Sequence, residues 1–106
     1  MASVMLRNHG ITVEASATGD RWSEESWENA QKLHGTGVTF DKALVDRFDG
    51  LVLIGPKGSW HFEHALCGYE GTGPQTTAKI LSLFGFGSQK EIMQRIKDDY
   101  AVELYR

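Results

Sequence analysis

The sequence contains one cysteine, two prolines and no long apolar run. Cys67 has no partner for an internal disulfide, which agrees with a reducing compartment. The longest aliphatic run, residues 51–54, falls far short of the roughly 20 residues that a membrane-spanning helix needs. Residues 1–9 lack the basic region, apolar stretch and cleavage site of a secretory signal. These absences predict a cytoplasmic protein that has no membrane partner.

Positive charge is also sparse, since 11 Lys and Arg face 14 Asp and Glu and the net charge is −3. The basic residues are scattered, so binding to polymeric nucleic acid, which depends on many neutralised phosphates, is disfavoured. A small anionic ligand needs only a few local donors and stays open. At 106 residues, with 41% apolar and 24% charged residues, residues 1–106 are expected to form a single globular domain.

The apolar periodicity predicts an α+β fold, a mainly antiparallel sheet of about four strands with helices on one face. Ser23 is the expected cap of the first helix, with Trp22 and Trp27 packed as a staple. All three tryptophans are expected mostly in the core. The predicted elements are a strand over 11–15, helices over 23–34 and 41–48, a hairpin over 51–54 and 60–66, helices over 74–84 and 88–96, and a strand over 100–105.

The stretch CGYEGTGPQTTAKIL at positions 67–81 is the most unusual segment. With Gly73 as cap and Pro74 as first residue, a helix starting here would leave backbone amides unpaired and favour an anion. The expected ligand is a small phosphate-bearing molecule such as a nucleotide, with Lys79 or Arg7 adding charge and Tyr69 stacking. The predicted ligand-binding residues are His61, Tyr69, Gly71, Thr72, Gly73, Gln75, Thr76, Thr77 and Lys79.

Known catalytic phosphate loops do not fit this stretch. Pro74 and Gln75 stand where a P-loop has its lysine and hydroxyl, and Thr76 stands where a dinucleotide fingerprint has its third glycine. A cysteine-phosphatase loop would need arginine where Gly73 lies. The alternative reading is that the glycines only shape a strand-to-helix corner.

GYEGTGP followed by a helix led by small residues resembles a Gly-Tyr-Gly-Gly-Thr/Ser-Gly-Pro segment found in small uncharacterised proteins of bacteria and their phages. The resemblance covers Cys67 to Leu81 and departs at Glu70, where that family usually has glycine. It implies a mobile-element setting, in which a small protein acts as a nucleotide-binding anti-defence sponge or as a protein inhibitor.

Few residues outside the glycine loop are candidates for catalysis or metal binding. His61 and Glu63 share a strand face and could serve a nucleotide hydrolase, whereas His61 and His64 point to opposite faces and do not predict a metal site. We expect Cys67 to be a buried small apolar residue. We expect no catalytic residue, cofactor or metal, and a homodimer or higher homo-oligomer.

The rival function is a protein-binding inhibitor or immunity-type module that uses exposed aromatic residues and an acidic first helix bearing Asp20, Glu24, Glu25 and Glu28.

Overall fold

The computed structural model describes residues 3–8 and 11–106, with side chains from residue 14 onward. Three helices and six strands make up this part of the chain. The strands are β1 Ser3–Asn8, β2 Ile11–Ala17, β3 Lys42–Asp46, β4 Gly50–Gly55, β5 Gly58–Phe62 and β6 Ala101–Tyr105. The helices are α1 Ser23–His34, α2 Thr72–Leu83 and α3 Gln89–Ile96.

The strands form one mixed sheet in the order β1-β2-β5-β4-β3-β6. The β2–β5 pair is parallel and the other four described pairs are antiparallel. Gly55 pairs with Gly58, so Pro56 and Lys57 form the tight turn of the expected hairpin. The α+β class is confirmed, with more strands than the expected four.

All three helices pack on one face of this sheet. Their buried residues, such as Ala30, Leu81 and Ile96, join one apolar cluster with Leu53 and Phe62 of the sheet. The Trp27, Ala30 and Leu33 face of α1 is confirmed, and so is its end at Gly35. At the start of α3, Ser88 caps the helix by accepting the Glu91 amide at 3.2 Å, as the capping box predicted.

The other face of the sheet is also largely buried. Leu44 and Val52 are only 1% exposed there. Strand β1 pairs with β2 and also approaches β3 and β6, so the β1–β2 hairpin curls toward this second face. The sheet therefore has a helix-covered face and a second face that carries its own buried side chains.

The prediction of a helix over 41–48 is wrong, because residues 42–46 form β3 between β4 and β6. Ala43, Leu44 and Val45 are all at most 1% exposed. A strand buried on both faces has a continuous apolar sequence without alternation. The spacing of Leu44 and Phe48 imitates a helical face, but Phe48 is 79% exposed.

Two details near α1 and β5 also differ from expectation. Trp22 is 60% exposed and does not lie in the core, and the Ser23 hydroxyl donates to the His64 carbonyl at 3.0 Å instead of capping α1. Strand β5 ends at Phe62, so His64 lies in the turn that follows. The Ser23 bond ties the start of α1 to that turn.

Candidate functional site

The glycine loop enters α2 earlier than predicted. The helix begins at Thr72 with Gly71 as its cap, so Pro74 is the third helical residue. A proline there costs no hydrogen bond, since the first amides of a helix have no partner within it. The Gln75 amide donates to the Gly71 carbonyl at 3.1 Å. The amides of Gln75 and Thr76 therefore belong to the helix and are not free donors.

The ring of Tyr69 lies across the first turn of α2. A Cβ added to Gly73 would overlap the Tyr69 hydroxyl, and one added to Gly71 would lie 2.9 Å from the ring edge. These two glycines are required so that the ring can approach the backbone. Tyr69 thus packs on its own loop instead of standing free to stack on a ligand.

The loop hydroxyls are largely engaged as well. Thr77 Oγ1 donates to the Leu66 carbonyl at 2.6 Å and lies 3.2 Å from the Gly73 carbonyl, and Thr76 Oγ1 donates to the Thr72 carbonyl at 2.9 Å. Thr76 and Thr77 are buried, whereas Thr72 is exposed. The two buried hydroxyls tie α2 to itself and to the preceding loop.

The expected anion cradle at residues 68–77 is therefore not formed as predicted. A packed ring covers the helix start, and the two amides assigned to the phosphate are bonded within the helix. Gln75 and Lys79 are exposed, and the Lys79 ammonium lies 5.8 Å from the Trp27 ring centroid. The side chain of Arg7 lies outside the described residues. The corner-forming reading of the glycines explains this loop.

His61 is not part of the loop. It is only 5% exposed, and its Nε2 contacts the Asp49 carbonyl, whereas Nδ1 has no hydrogen-bond partner among the described residues. The prediction of an exposed or ligand-lining His61 is wrong for this loop, because alternation along β5 directs it to the face opposite Trp60 and Phe62. His9, which could have served as a third metal ligand beside His61 and Glu63, lies outside the described residues. No group of three potential metal ligands occurs in the part of the chain that the structure describes.

Cys67 is fully buried, as predicted, and its thiol donates to the Asp99 carbonyl at 3.2 Å. Burial, together with the negative charges of Asp46 and Asp99, raises the pKa of the thiol to about 12. Reactive cysteines need the opposite, a lowered pKa and access. The geometry of Cys67 is that of a structural residue.

The acidic cluster of α1 is also smaller than predicted. Asp20 is 5% exposed and accepts hydrogen bonds from Ser26 Oγ at 2.6 Å and from Asn29 Nδ2 at 2.5 Å. Glu25 pairs with Arg21 at 3.3 Å. Asp20 is therefore a buried acceptor that stabilises α1 through hydrogen bonds. Glu24 and Glu28 are the exposed acidic residues of this segment.

A groove of about 430 Å³ lies beside Trp60. It lies between the end of α1, the loop into β3 and the β4–β5 turn. A hollow of about 240 Å³ adjoins it and shares Leu33, Thr36 and Trp60. The residues that line the two together are Thr18, Asn29, Lys32, Leu33, Thr36, Gly37, Val38, Thr39, Pro56, Lys57 and Trp60. We call this surface the Trp60 groove.

One side of the Trp60 indole is packed and the other is open to the groove. Its ring lies 5.6 Å from Phe40, edge to face, and a Cβ on Gly58 would approach it to 3.3 Å. Gly58 has a φ of +135°, so glycine is needed both for the turn and for the space beside the ring. The indole is thereby fixed in place while part of it stays accessible.

The polar rim of the groove carries unpaired positive charge. Lys32 and Lys57 form no ion pair and no ring contact with the described residues. Asn29 lines the hollow and donates an amide hydrogen to Asp20, a bond that does not use its Oδ1 acceptor. An apolar floor with a ring, two ammonium groups and an amide acceptor suits a ring-containing anion.

Sequence reasoning missed this groove because its lining residues come from three separate segments, at residue 18, residues 29–39 and residues 56–60. Trp60 was expected in the core, and the loop 35–39 carried no motif. The usable signals were Gly58 beside the aromatic Trp60 and the presence of Lys57 in the tight turn.

Comparison of the chain with protein-family models, curated proteins and solved structures gives no significant match. The resemblance of residues 67–81 to the bacterial and phage segment stays a prediction. Across residues 3–8 and 11–106, no helix combines the length and the apolar character needed to cross a membrane.

Proposed function

We propose that the protein binds a small phosphate-bearing molecule that contains a planar ring, such as a nucleotide, in the Trp60 groove. This keeps the ligand class expected from the sequence and moves its site from the glycine loop to the far side of α1. The observation that carries the proposal is the packed, partly open indole of Trp60 in a groove that two lysines also line, neither of which has an ion-pair partner among the described residues.

Each part of such a ligand has a partner in the groove. The ring would stack on Trp60 and contact Leu33 and Val38, and the phosphate would be held by the ammonium groups of Lys32 and Lys57. The Asn29 acceptor suits an N–H donor on the ring edge. A groove of about 430 Å³ falls within the usual size range of small-molecule sites.

We propose binding rather than turnover as the activity. The His61 imidazole, which the hydrolase alternative would use as a base, is buried and contacts a backbone carbonyl on the other face of the sheet. Sequestration of a nucleotide signal, as by a phage anti-defence sponge, is the biological role that this proposal favours. A homodimer remains part of the prediction, since a second subunit would deepen an open groove.

Isothermal titration against nucleoside monophosphates and cyclic dinucleotides tests the proposal, with the matching nucleosides and inorganic phosphate as partial ligands. We expect at least one nucleotide to bind more tightly than either partial ligand. The double variant K32Q/K57Q should weaken this binding at least about a hundredfold, because it removes two charge-assisted contacts of about 1.5–3 kcal/mol each. The exposed Lys90→Gln on α3 is the matched control and should bind normally.

A second variant distinguishes the groove from the glycine loop. Gln75 is exposed in the first turn of α2, so Gln75→Glu adds a negative charge there without disturbing the core. Binding in the Trp60 groove predicts unchanged affinity, whereas an anion at the helix start would be repelled. The proposal is contradicted if Q75E loses the nucleotide while K32Q/K57Q binds it with unchanged affinity. It is also contradicted if no member of the panel binds. We expect the nucleotide to be recovered unaltered after incubation with the protein. A hydrolysed product would favour the alternative that the protein is a nucleotide hydrolase.

A further inference from the structure

The opposite end of the sheet carries a cluster of exposed rings. Phe48 is 79% exposed and Tyr100 is 65% exposed, although both are large and apolar. The Arg47 guanidinium lies 5.0 Å from the Tyr100 ring centroid, 5.7 Å from that of Tyr69 and 5.9 Å from that of Phe48. We call Arg47, Phe48, Tyr69 and Tyr100 the ring cluster.

Three chain segments meet at the ring cluster, and hydrogen bonds fix them. The Arg47 amide donates to the Tyr100 carbonyl at 2.8 Å, which joins the β3–β4 turn to the loop before β6. Asp46 Oδ1 accepts the amides of Phe48 at 2.7 Å and Asp49 at 3.0 Å, which closes the turn. Because the backbone is held in this way, little conformational freedom remains to be lost when a partner binds.

Acidic residues adjoin the rings of the cluster in the sequence. Asp49 follows Phe48, Glu70 follows Tyr69, and Asp98 and Asp99 precede Tyr100, and all four are exposed. Two cations lie among them, Arg47 at the centre of the cluster and Lys97 at 3.8 Å from Glu70, so the four acids leave a net negative charge. The exposed rings are therefore set in a negatively charged rim, and this charge selects the partner.

We propose that the ring cluster is a docking surface for an arginine-rich, positively charged segment of another protein. Arginine side chains of the partner would stack on Phe48 and Tyr100 and bond the carboxylates of the rim. A rigid centre of Tyr and Arg within a polar rim is the usual composition of an interface hot spot. A second copy of this chain fits less well, because two acidic rims would face each other.

The inference is independent of the Trp60 groove. Strand β4 leads from the β3–β4 turn, beside the ring cluster, to the β4–β5 turn at the groove. Variants of the ring cluster leave every groove residue in place. A failure of one proposal is therefore separable from a failure of the other.

The test is a ¹⁵N NMR titration of the full chain with a peptide of alternating glycine and arginine, and with the same peptide carrying glutamate. We expect the arginine peptide to shift the amide signals of residues 46–49 and 98–101 most, and the glutamate peptide to shift neither. A lysine peptide should bind more weakly, since ammonium lacks the planar stacking of guanidinium. The double variant F48S/Y100S should reduce the affinity at least about tenfold, as expected for hot-spot residues.

The matched control tests whether net charge alone attracts the peptide. Glu24 and Glu28 are exposed acids on α1, away from the ring cluster. The variant E24Q/E28Q should leave the affinity within about twofold, and circular dichroism should show every variant folded. Equal shifts at α1, an unchanged affinity in F48S/Y100S, or sedimentation of a dimer that this variant dissociates would overturn the proposal.

Discussion

At the scale of single residues, Thr77 shows why the hydroxyl-rich loop need not be a ligand site. Its side chain is buried and bonds the Leu66 carbonyl at 2.6 Å. The substitution Thr77→Val keeps the shape of the side chain and removes the hydrogen bond that the Leu66 carbonyl accepts. We expect a loss of about 1–3 kcal/mol in the free energy of unfolding, measured by urea denaturation.

Thr76→Val is the matched control for Thr77→Val. The Thr76 hydroxyl bonds the Thr72 carbonyl of its own helix, and that carbonyl has the helical partner in addition. A smaller loss is therefore expected for Thr76→Val. If the two variants lose equal stability, the bond between α2 and the preceding loop is not what fixes this corner.

Cys67 gives a pH prediction. Burial and the nearby carboxylates raise the pKa of its thiol from the ordinary 9.0 to about 12, so between these values the folded chain keeps a proton that the unfolded chain releases. Stability from this group is full below pH 9 and is lost as the pH rises toward 12, with a slope of at most about 1.4 kcal/mol per pH unit.

Cys67→Ser isolates that slope, because serine does not titrate here and can still donate to the Asp99 carbonyl. Urea denaturation of both proteins at pH 8 to 11 should show the wild type losing stability faster than the variant. Parallel pH profiles would mean that the buried thiol does not contribute.

At the scale of elements, Gly50 marks where the predicted helix becomes a strand and a turn. It has a φ of +99°, and a Cβ there would overlap the Phe62 carbonyl oxygen. Gly19 has a φ of +77° but open space around its Cβ position. Gly19→Ala should cost about 1–2 kcal/mol from the backbone conformation alone. Gly50→Ala should cost at least about 1 kcal/mol more, because backbone must also move.

Thermal or urea unfolding of the two variants checks this difference directly. A helix over 41–48 would place Gly50 just beyond its end, with no carbonyl of β5 beside it. Equal losses for Gly19→Ala and Gly50→Ala would therefore contradict the close approach of Gly50 to the Phe62 carbonyl, where β4 lies beside β5.

Elements with a local signature could be predicted from the sequence. The capping-box pattern of Ser88 and Glu91 predicts the start of α3. The glycines that flank Pro56 and Lys57 predict the hairpin turn. Strand β3 could not be predicted in this way, since Asp41 looks like a helix cap and the decisive fact is burial on both faces by neighbours distant in sequence. The start of α2 differs from the sequence prediction because Gly73 and Pro74 look like a cap and a first helical residue, whereas the helix already begins at Thr72.

At the scale of the whole molecule, the two proposed sites lie near opposite ends of β4. Gly50 and Gly55 are five residues apart on one strand, which is about 17 Å at the usual rise. Energetic coupling between side chains that far apart, with no shared partner, is usually within about 0.3–0.5 kcal/mol. A rigid sheet between the sites offers no second arrangement through which one could bias the other.

We therefore expect F48S/Y100S to bind a groove nucleotide with wild-type affinity, and K32Q/K57Q to bind the arginine peptide normally. A double-mutant cycle that combines both pairs, followed by titration with each ligand, should give a coupling energy below about 0.5 kcal/mol. Coupling above about 1 kcal/mol would show that the sheet transmits a change between its ends. In that case the groove and the ring cluster would be parts of one switch, and ligand binding would control partner binding.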